Sequence, residues 1–278
     1  MWSHGGVGAF EFEPEDLGNT AVGVAREAAD LVRRAREAML TGETVQVDTK
    51  STDTDVVTAV DRASERLIRE RLAELRPADA VLGEEEGGGA GDGVTWVVDP
   101  IDGTVNFLYG LPGFAVSVAA QVGGVSVAGA VVEPVSGRCW TAVRGHGAWL
   151  DGRRLHVSSP ARLDLTLVGT GFAYDVARRA RQAEVVSRLV PRVRDIRRAG
   201  AASLDLCAVA AGWLDAYVEH GLSPWDWAAG ALVAREAGAL VTLPGEDEEL
   251  GKEVTYAASP AIAAELRAVL LECGIADA

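Results

Sequence analysis

The chain is poor in cysteine, in histidine and in positive charge. Its three cysteines, Cys139, Cys207 and Cys273, are odd in number and far apart. No C-x-x-C pair occurs, so neither a structural zinc site nor a disulfide framework is indicated, and a reducing, cytoplasmic setting is expected. His146 and His220 lack a partner at metal-ligand spacing and are read as structural. Lysine and arginine number 26 against 41 aspartates and glutamates, a net charge of −15. Such a chain cannot grip a phosphate backbone by Lys and Arg alone, so nucleic acid is not an expected partner. An anionic substrate would need positive charge supplied locally. A divalent cation held by carboxylates supplies it.

Two further absences narrow the class. The start, "MWSHGGVGAFEFEPEDLG", has no basic stretch leading into an apolar one, so no signal peptide is read there. Residues 1–13 are expected to be a flexible tail. The segment Gly103–Val132 carries no charge at all, yet the Gly123–Gly124 pair splits it into two Val-rich runs of strand length. That favours a buried hairpin over a membrane span.

What is present is globular: 48% hydrophobic and 24% charged residues in 278, enough for one large domain or two packed closely. Apolar residues at Leu17, Ala21, Val24, Ala28, Leu31 and Val32 predict a helix over 14–40, ended near Gly42. "TVQVDTKSTDTDVV" reads as strand or flexible loop, and a second helix is expected over 59–76. Strands follow at 80–83, 94–98, 114–122, 125–132 and 138–143, with "GEEEGGGAGDG" as a glycine-rich loop. "VSSPARLD" marks the best internal boundary, dividing an N-terminal α+β domain, 14–157, from a C-terminal α/β domain, 158–278. In the second half strands at 165–169, 193–198, 213–219, 239–243 and 254–258 are interleaved with helices at 175–190, 201–211, 225–237 and 260–272.

Four stretches could carry chemistry. In "WVVDPIDGTVNF" an apolar strand delivers Asp99 and Asp102, and Pro100 is expected to end the strand at Asp99. Two carboxylates there suit a hard cation, and the amides of Gly103 and Thr104 could face an anion; the local alternative is a turn. In "VLGEEEGG" Glu84 ends another apolar run, with Glu85 and Glu86 read as solvated. In "STDTDVVTAVDRAS" Asp61 stands three residues after Thr58, which fits a capping box worth about 1 kcal/mol, or an acid that faces metal and orients water through Thr104. In "YVEHGLSPWDWAAG" Glu219 ends a strand and Asp226 precedes a helix it could cap, while Trp225 and Trp227 read as packing.

Together, "GEEEG", "DPIDGTVNF" and "WDWAAG", with "KSTDTDVVTAVD" before them and "RRAGAASLDLCAVAAGWLDAYVEHGLSPWD" toward the end, resemble the inositol monophosphatase family over about residues 17–270. The nearest resemblance is to its actinobacterial inositol-1-monophosphatase branch. The resemblance implies a layered α/β/α/β/α sandwich of the inositol monophosphatase and fructose-1,6-bisphosphatase type. It also implies a homodimer and an Mg2+-dependent, Li+-sensitive phosphomonoesterase acting on inositol 1-phosphate. The alternatives are a histidinol-phosphate, fructose-1,6-bisphosphate or nucleotide 3′-phosphatase, or a regulatory binding protein that keeps the fold.

Residue by residue, the resemblance implies that Glu84, Asp99 and the Ile101 carbonyl hold a first metal. Asp99, Asp102 and Asp226 would hold a second. A third, weaker ion would sit by Glu84. Asp61 and Thr104 would position the attacking water, with Glu84 beside them in the catalytic set. Gly103, Thr104 and Lys50 would meet the phosphate, and Asp102, Gly200, Ala202 and Glu219 the substrate's hydroxyls. The sequence departs from the family at Ala201, where Ser or Thr is frequent, which bears on the sugar end of the site. No cysteine or histidine nucleophile motif is present, so in-line attack by water without a phosphoenzyme is expected.

Overall fold

The computed structural model describes residues 13–50 and 56–278; the expected tail lies, but for Glu13, outside the described residues. The helical spacing that begins at Leu17 produces one long helix, α1 (Pro14–Leu40). Pro14 sits in its first turn, where a missing N–H removes no intrahelical bond. Leu17, Ala21, Val24, Ala28 and Val32 form its buried face. Two short strands, β1 (Val47–Thr49) and β2 (Val56–Thr58), pair antiparallel, and β2 runs directly into α2 (Ala59–Leu75). Residues 51–55, expected as strand or loop, lie outside the described residues.

The first sheet is built from β3 (Ala80–Gly83), β4 (Gly87–Gly88), β5 (Val94–Asp102), β6 (Ala115–Val122), β7 (Val125–Val132), β8 (Cys139–Val143), β9 (Gly147–Leu150) and β10 (Arg153–Arg154). A short helix, α3 (Thr104–Leu108), follows β5. The strand order is β10-β9-β8-β7-β6-β5-β3-β4, antiparallel throughout except where β3 runs parallel to β5. The second sheet comes from β11 (Leu167–Thr170), β12 (Asp195–Arg197), β13 (Ala216–His220), β14 (Leu240–Thr242) and β15 (Val254–Ala258), in the order β12-β11-β13-β15-β14. Its helices are α4 (Val176–Leu189), α5 (Ala202–Ala210), α6 (Pro224–Glu236) and α7 (Ala263–Glu272).

These elements stack in five layers, α/β/α/β/α, as the resemblance implied. Helices α1 and α2 cover one face of the first sheet. Helices α5 and α6 fill the space between the sheets, and α4 and α7 close the outer face of the second. Both faces of the first sheet are therefore covered. All nine residues of β5 are buried, as are seven of the eight in β6. A doubly covered strand reads as a continuous apolar run rather than an alternating one. That is why Gly103–Val132 carries no charge, and it does form the β6–β7 hairpin. Among the described residues no helix is long and apolar enough to cross a membrane.

The structure corrects several expected boundaries. β5 does not stop at Asp99 but continues to Asp102, with its register on β6 shifting between those residues. Asp99 faces Ser117 and Asp102 faces Ala115, so three steps on β5 oppose two on β6. Pro100 sits inside that bulge, where no ladder N–H is required of it. The glycine-rich loop contains β4, which closes back on β3. The β9–β10 hairpin was not foreseen, because its strands are only four and two residues long. Helix α7 starts at Ala263 rather than residue 260, since Ile262 and Ala263 first donate to the Ser259 carbonyl in a turn.

Candidate active site

A cleft of about 480 Å³ opens where the end of β5 meets the first turns of α5 and α6. Its walls include Lys50, Glu84, Asp99, Asp102, Glu219 and Asp226. Asp99 and Asp102 leave the bulged end of β5, 1% and 7% exposed. Asp226 arrives from the first turn of α6. It is not the helix cap, as expected; Ser223 holds that place, and the Ser223 N–H donates to the Asp226 carboxylate at 2.6 Å.

Carboxylate oxygens of Asp99, Asp102 and Asp226 lie within 4.8 Å of one another. Burial pushes all three carboxyls up. For Asp99 the negative charges of Glu84, Asp102 and Asp226 push it further, well above its ordinary range. Asp226 is likewise raised by burial and then by Asp102 and Glu84. Asp102 is raised by burial to about 7 even though the Ser203 hydroxyl and N–H favour its charged form. That contact also joins the two halves of the chain. Ala202 N–H at 3.2 Å and Ser203 N–H at 2.7 Å, from the start of α5, both donate to Asp102. Three buried acids whose charges repel are the donor set a hard divalent cation fits, because oxygen ligands and a counter-charge are what such an ion needs.

Glu84 stands at the end of β3, parallel to β5. Its charge acts on Asp99, and it takes the Lys50 ammonium at 2.8 Å. Lys50 also reaches Glu85 at 2.6 Å. Burial acts to lower the Lys50 pKa, but the two carboxylates outweigh it and raise the value. In this structure Lys50 therefore caps acids rather than lying free for an anion.

Glu85 is not solvated, as expected, but only 7% exposed at its side chain, and burial brings its carboxyl to about 7. Glu86, 45% exposed, does fit the solvated reading. Behind this turn is a residue the sequence did not flag. Glu65 of α2 is fully buried and accepts the Glu85 N–H at 2.7 Å and the Glu86 N–H at 3.0 Å, with Arg69 on its other side. Gly83 has no room for a side chain, since a Cβ there would stand 2.2 Å from Glu65 Oε1.

Asp61 forms the cap and also reaches Thr104. Its carboxylate accepts the Thr58 N–H at 2.8 Å, and its own N–H donates to Thr58 Oγ1 at 3.2 Å, which is the capping box of α2. Its other oxygen, Oδ1, lies 2.9 Å from Thr104 Oγ1. Thr104 Oγ1 is also 3.0 Å from the Ile101 carbonyl. A hydroxyl has one proton, so it serves one acceptor at a time. Burial raises the Asp61 pKa, against the hydrogen bonds from Thr58 and Thr104. Gly103 caps α3 at φ 94°, a left-handed conformation that favours glycine. The N–H groups in the first turn of α3 have no intrahelical acceptor.

The far wall belongs to the second sheet. Glu219, on β13, receives the Tyr217 hydroxyl. Burial raises its carboxyl, against Tyr217 and the positive charge of Arg198. Gly200 and Ala202 line the cleft with Ala201 between them, and Ala201 offers no hydroxyl there. Trp225 lines it too, beside Asp226. His220 is structural in its bonding, with Nε2 2.8 Å from the Leu250 carbonyl. His146 meets Glu15 of α1 at 3.1 Å, away from the cleft. Every residue singled out in the sequence for the site thus lies on this cleft or one contact behind it. Sequence reasoning missed Glu65, Arg198 and Asp205. Asp205 did leave a signal, being the one charge within "AGAASLDLCAVAAG".

Known proteins resemble this chain over most of its length. The model of the inositol monophosphatase family matches residues 13–277. An inositol-1-monophosphatase of Mycobacterium leprae is 52% identical, covering 93% of this chain and 94% of that protein. A protein of Pseudomonas aeruginosa named Nus factor SuhB is 44% identical, covering 84% of this chain and 88% of its own. The solved structure of Mycobacterium tuberculosis SuhB superposes with a TM-score of 0.81 at 47% identity, covering 95% of this chain and all of that one.

Proposed function

The chain belongs to the inositol monophosphatase family, and on that footing we propose that it is an Mg2+-dependent phosphomonoesterase releasing inositol and phosphate from inositol 1-phosphate. The observation that carries the metal dependence is the trio Asp99, Asp102 and Asp226, with oxygens within 4.8 Å of one another and little counter-charge. Glu84, Asp99, the Ile101 carbonyl, Asp102 and Asp226 are the residues that would hold the ions. When bound, Mg2+ supplies Lewis acidity that acidifies a water and neutralises charge on the phosphate and the leaving oxygen.

The protein's own residues do the rest. Thr104 gives its single proton to Asp61, 2.9 Å away, which turns a lone pair of Oγ1 outward as an acceptor. A water donating to that lone pair is oriented for in-line attack. The amides of Gly103 and Thr104 hold phosphate oxygens, where fixed dipoles act without reorganisation. Lys50, now on Glu84 and Glu85, is near enough to screen the same anion once those acids carry other cations. Asp102 and Glu219 with the Gly200–Ala202 backbone receive the hydroxyls of the substrate. No side-chain nucleophile is called for. A homodimer in the cytoplasm completes the reading, by family.

The test is phosphate release from inositol 1-phosphate with Mg2+ and with excess chelator, beside histidinol phosphate, fructose 1,6-bisphosphate and a nucleoside 3′-phosphate. Activity that the chelator abolishes, highest on inositol 1-phosphate, is expected. Activity indifferent to the chelator refutes the metal reading, and a higher rate on another ester moves the substrate assignment to that ester. A second reading follows from the relative named Nus factor SuhB. A chain that only binds partners would release no phosphate from any of these esters.

A further inference from the structure

Asp205 is a buried carboxylate with no partner. It lies on α5, 4% exposed, and its side chain lines the cleft. No described group donates a hydrogen bond to it; it meets instead the charges of Glu219, Asp102 and Arg198. Burial and the charges of Glu219 and Asp102 push its carboxyl well above its ordinary range, and a polar group held in a cleft without a protein partner is one that an incoming ligand can complete. Asp205 lies in the first turn of α5, where the helix dipole favours an acid, and the rest of the helix is apolar or small.

The neighbouring sheet is shaped to bring a second carboxylate alongside. On β11 and just after it, Gly169 and Gly171 leave a trough. A Cβ on Gly169 would stand 3.1 Å from the Tyr217 ring, and one on Gly171 about 2 Å from the Glu219 carboxylate. Tyr217 and Glu219 lie in that trough two residues apart on β13, with the phenol donating to Glu219 Oε2. Tyr217 is wholly buried, so its one proton fixes the carboxylate's rotation. Arg198 flanks both acids, with Nη1 packed 2.5 Å from where a Gly200 side chain would begin. Its charge disfavours a further cation here. What remains to complete the two carboxylates is a set of uncharged donors, and adjacent hydroxyls have that chemistry.

We propose that Asp205 is a specificity-determining residue that contacts substrate. With Glu219 it accepts hydrogen bonds from neighbouring hydroxyls of a polyhydroxylated ring, while Arg198 balances their charge and Tyr217 positions Glu219. The inference rests on the phosphatase reading and deepens it. The cleft selects cyclic polyol phosphates with free hydroxyls beyond the ester carbon, over esters that carry none.

The experiment compares wild type with Asp205→Asn, in Mg2+, on inositol 1-phosphate and on phenyl phosphate, which has no hydroxyl. Loss of the hydrogen bond that Asp205 accepts from substrate predicts a KM for inositol 1-phosphate raised about tenfold. The kinetics on phenyl phosphate should stay within about twofold of wild type. The unliganded variant should melt at or above the wild-type temperature, because a neutral amide replaces an acid that burial and its acidic neighbours disfavour. Equal losses on both esters, or a melting temperature several degrees lower, would mark a structural residue and overturn the proposal. So would unchanged KM on inositol 1-phosphate. A wild-type protein inactive on both esters would instead refute the phosphatase reading beneath it.

Discussion

Stripping the divalent cations and raising the pH should destabilise this protein. The carboxyl of Asp102 rises from 3.8 to about 7 in the folded chain. Between those values the folded state keeps a proton that the unfolded state has released. Stability then falls as pH rises, because the slope follows the protons bound by the unfolded minus the folded state. A shift of roughly 3 units at 1.36 kcal/mol each makes the loss about 4 kcal/mol once the pH passes 7. Asp99, Asp226 and Glu84 are raised for the same reasons and act in the same direction. His220, whose pKa burial lowers, opposes them only below about pH 6.5. Asp164 and Asp195 are lowered and titrate below the window. For a chain of this size 4 kcal/mol is roughly 8 °C or more in Tm. About 2.7 kcal/mol of that loss falls between pH 5 and pH 8, the rest being gone by pH 5, and thermal unfolding of metal-stripped protein at those two pH values measures it. Adding Mg2+ at a hundred times its Kd should restore about 2.7 kcal/mol at pH 8. A metal-free protein more stable at pH 8 than at pH 5 would show that the acids are not held in mutual repulsion, and the argument for the cation site would fall with it.

Three substitutions extend this. Asp99→Asn should lower phosphate release by about a hundredfold or more while leaving the metal-free Tm unchanged or higher; normal hydrolysis with Mg2+ would refute its role. Thr104→Ala should slow turnover by about 10²-fold or more with little change in KM, in steady-state kinetics, if its hydroxyl orients water. Glu65→Ala should cost roughly 3–5 kcal/mol in denaturant unfolding, because Arg69 and two N–H groups lose a fully buried acceptor.

Much of this architecture was legible before any coordinates. The helix from Pro14 and the hairpin from Ala115 to Val132 followed from periodicity and the Gly-Gly turn, because both are long and uniformly patterned. The acids at 84, 99, 102 and 226 stood out because each follows or opens a strongly apolar element. What stayed hidden depends on contacts between distant segments. Glu85 reads, with Glu86, as a solvated loop glutamate until Lys50 and the packing of β3 enclose it. Glu65 looks like any exposed residue of a charged helix, and only the turn it holds, twenty residues on, reveals it. Pro100 suggested a strand end because a bulge cannot be seen without the partner strand. Ser223 rather than Asp226 is the cap because Pro224 opens α6, which puts Asp226 at the third position of the helix.

The cleft draws its two ends from different sheets. The carboxylate-rich end rests on β3, β5 and the head of α6, while the opposite end rests on β11, β13 and the segment after Gly171. Chemistry and choice of substrate can therefore drift separately. Exchanging a glycine beside Glu219, or the residue at 201, would reshape one end of the cleft without disturbing the acids at the other. Such a scaffold offers evolution one fixed reaction and a replaceable palate.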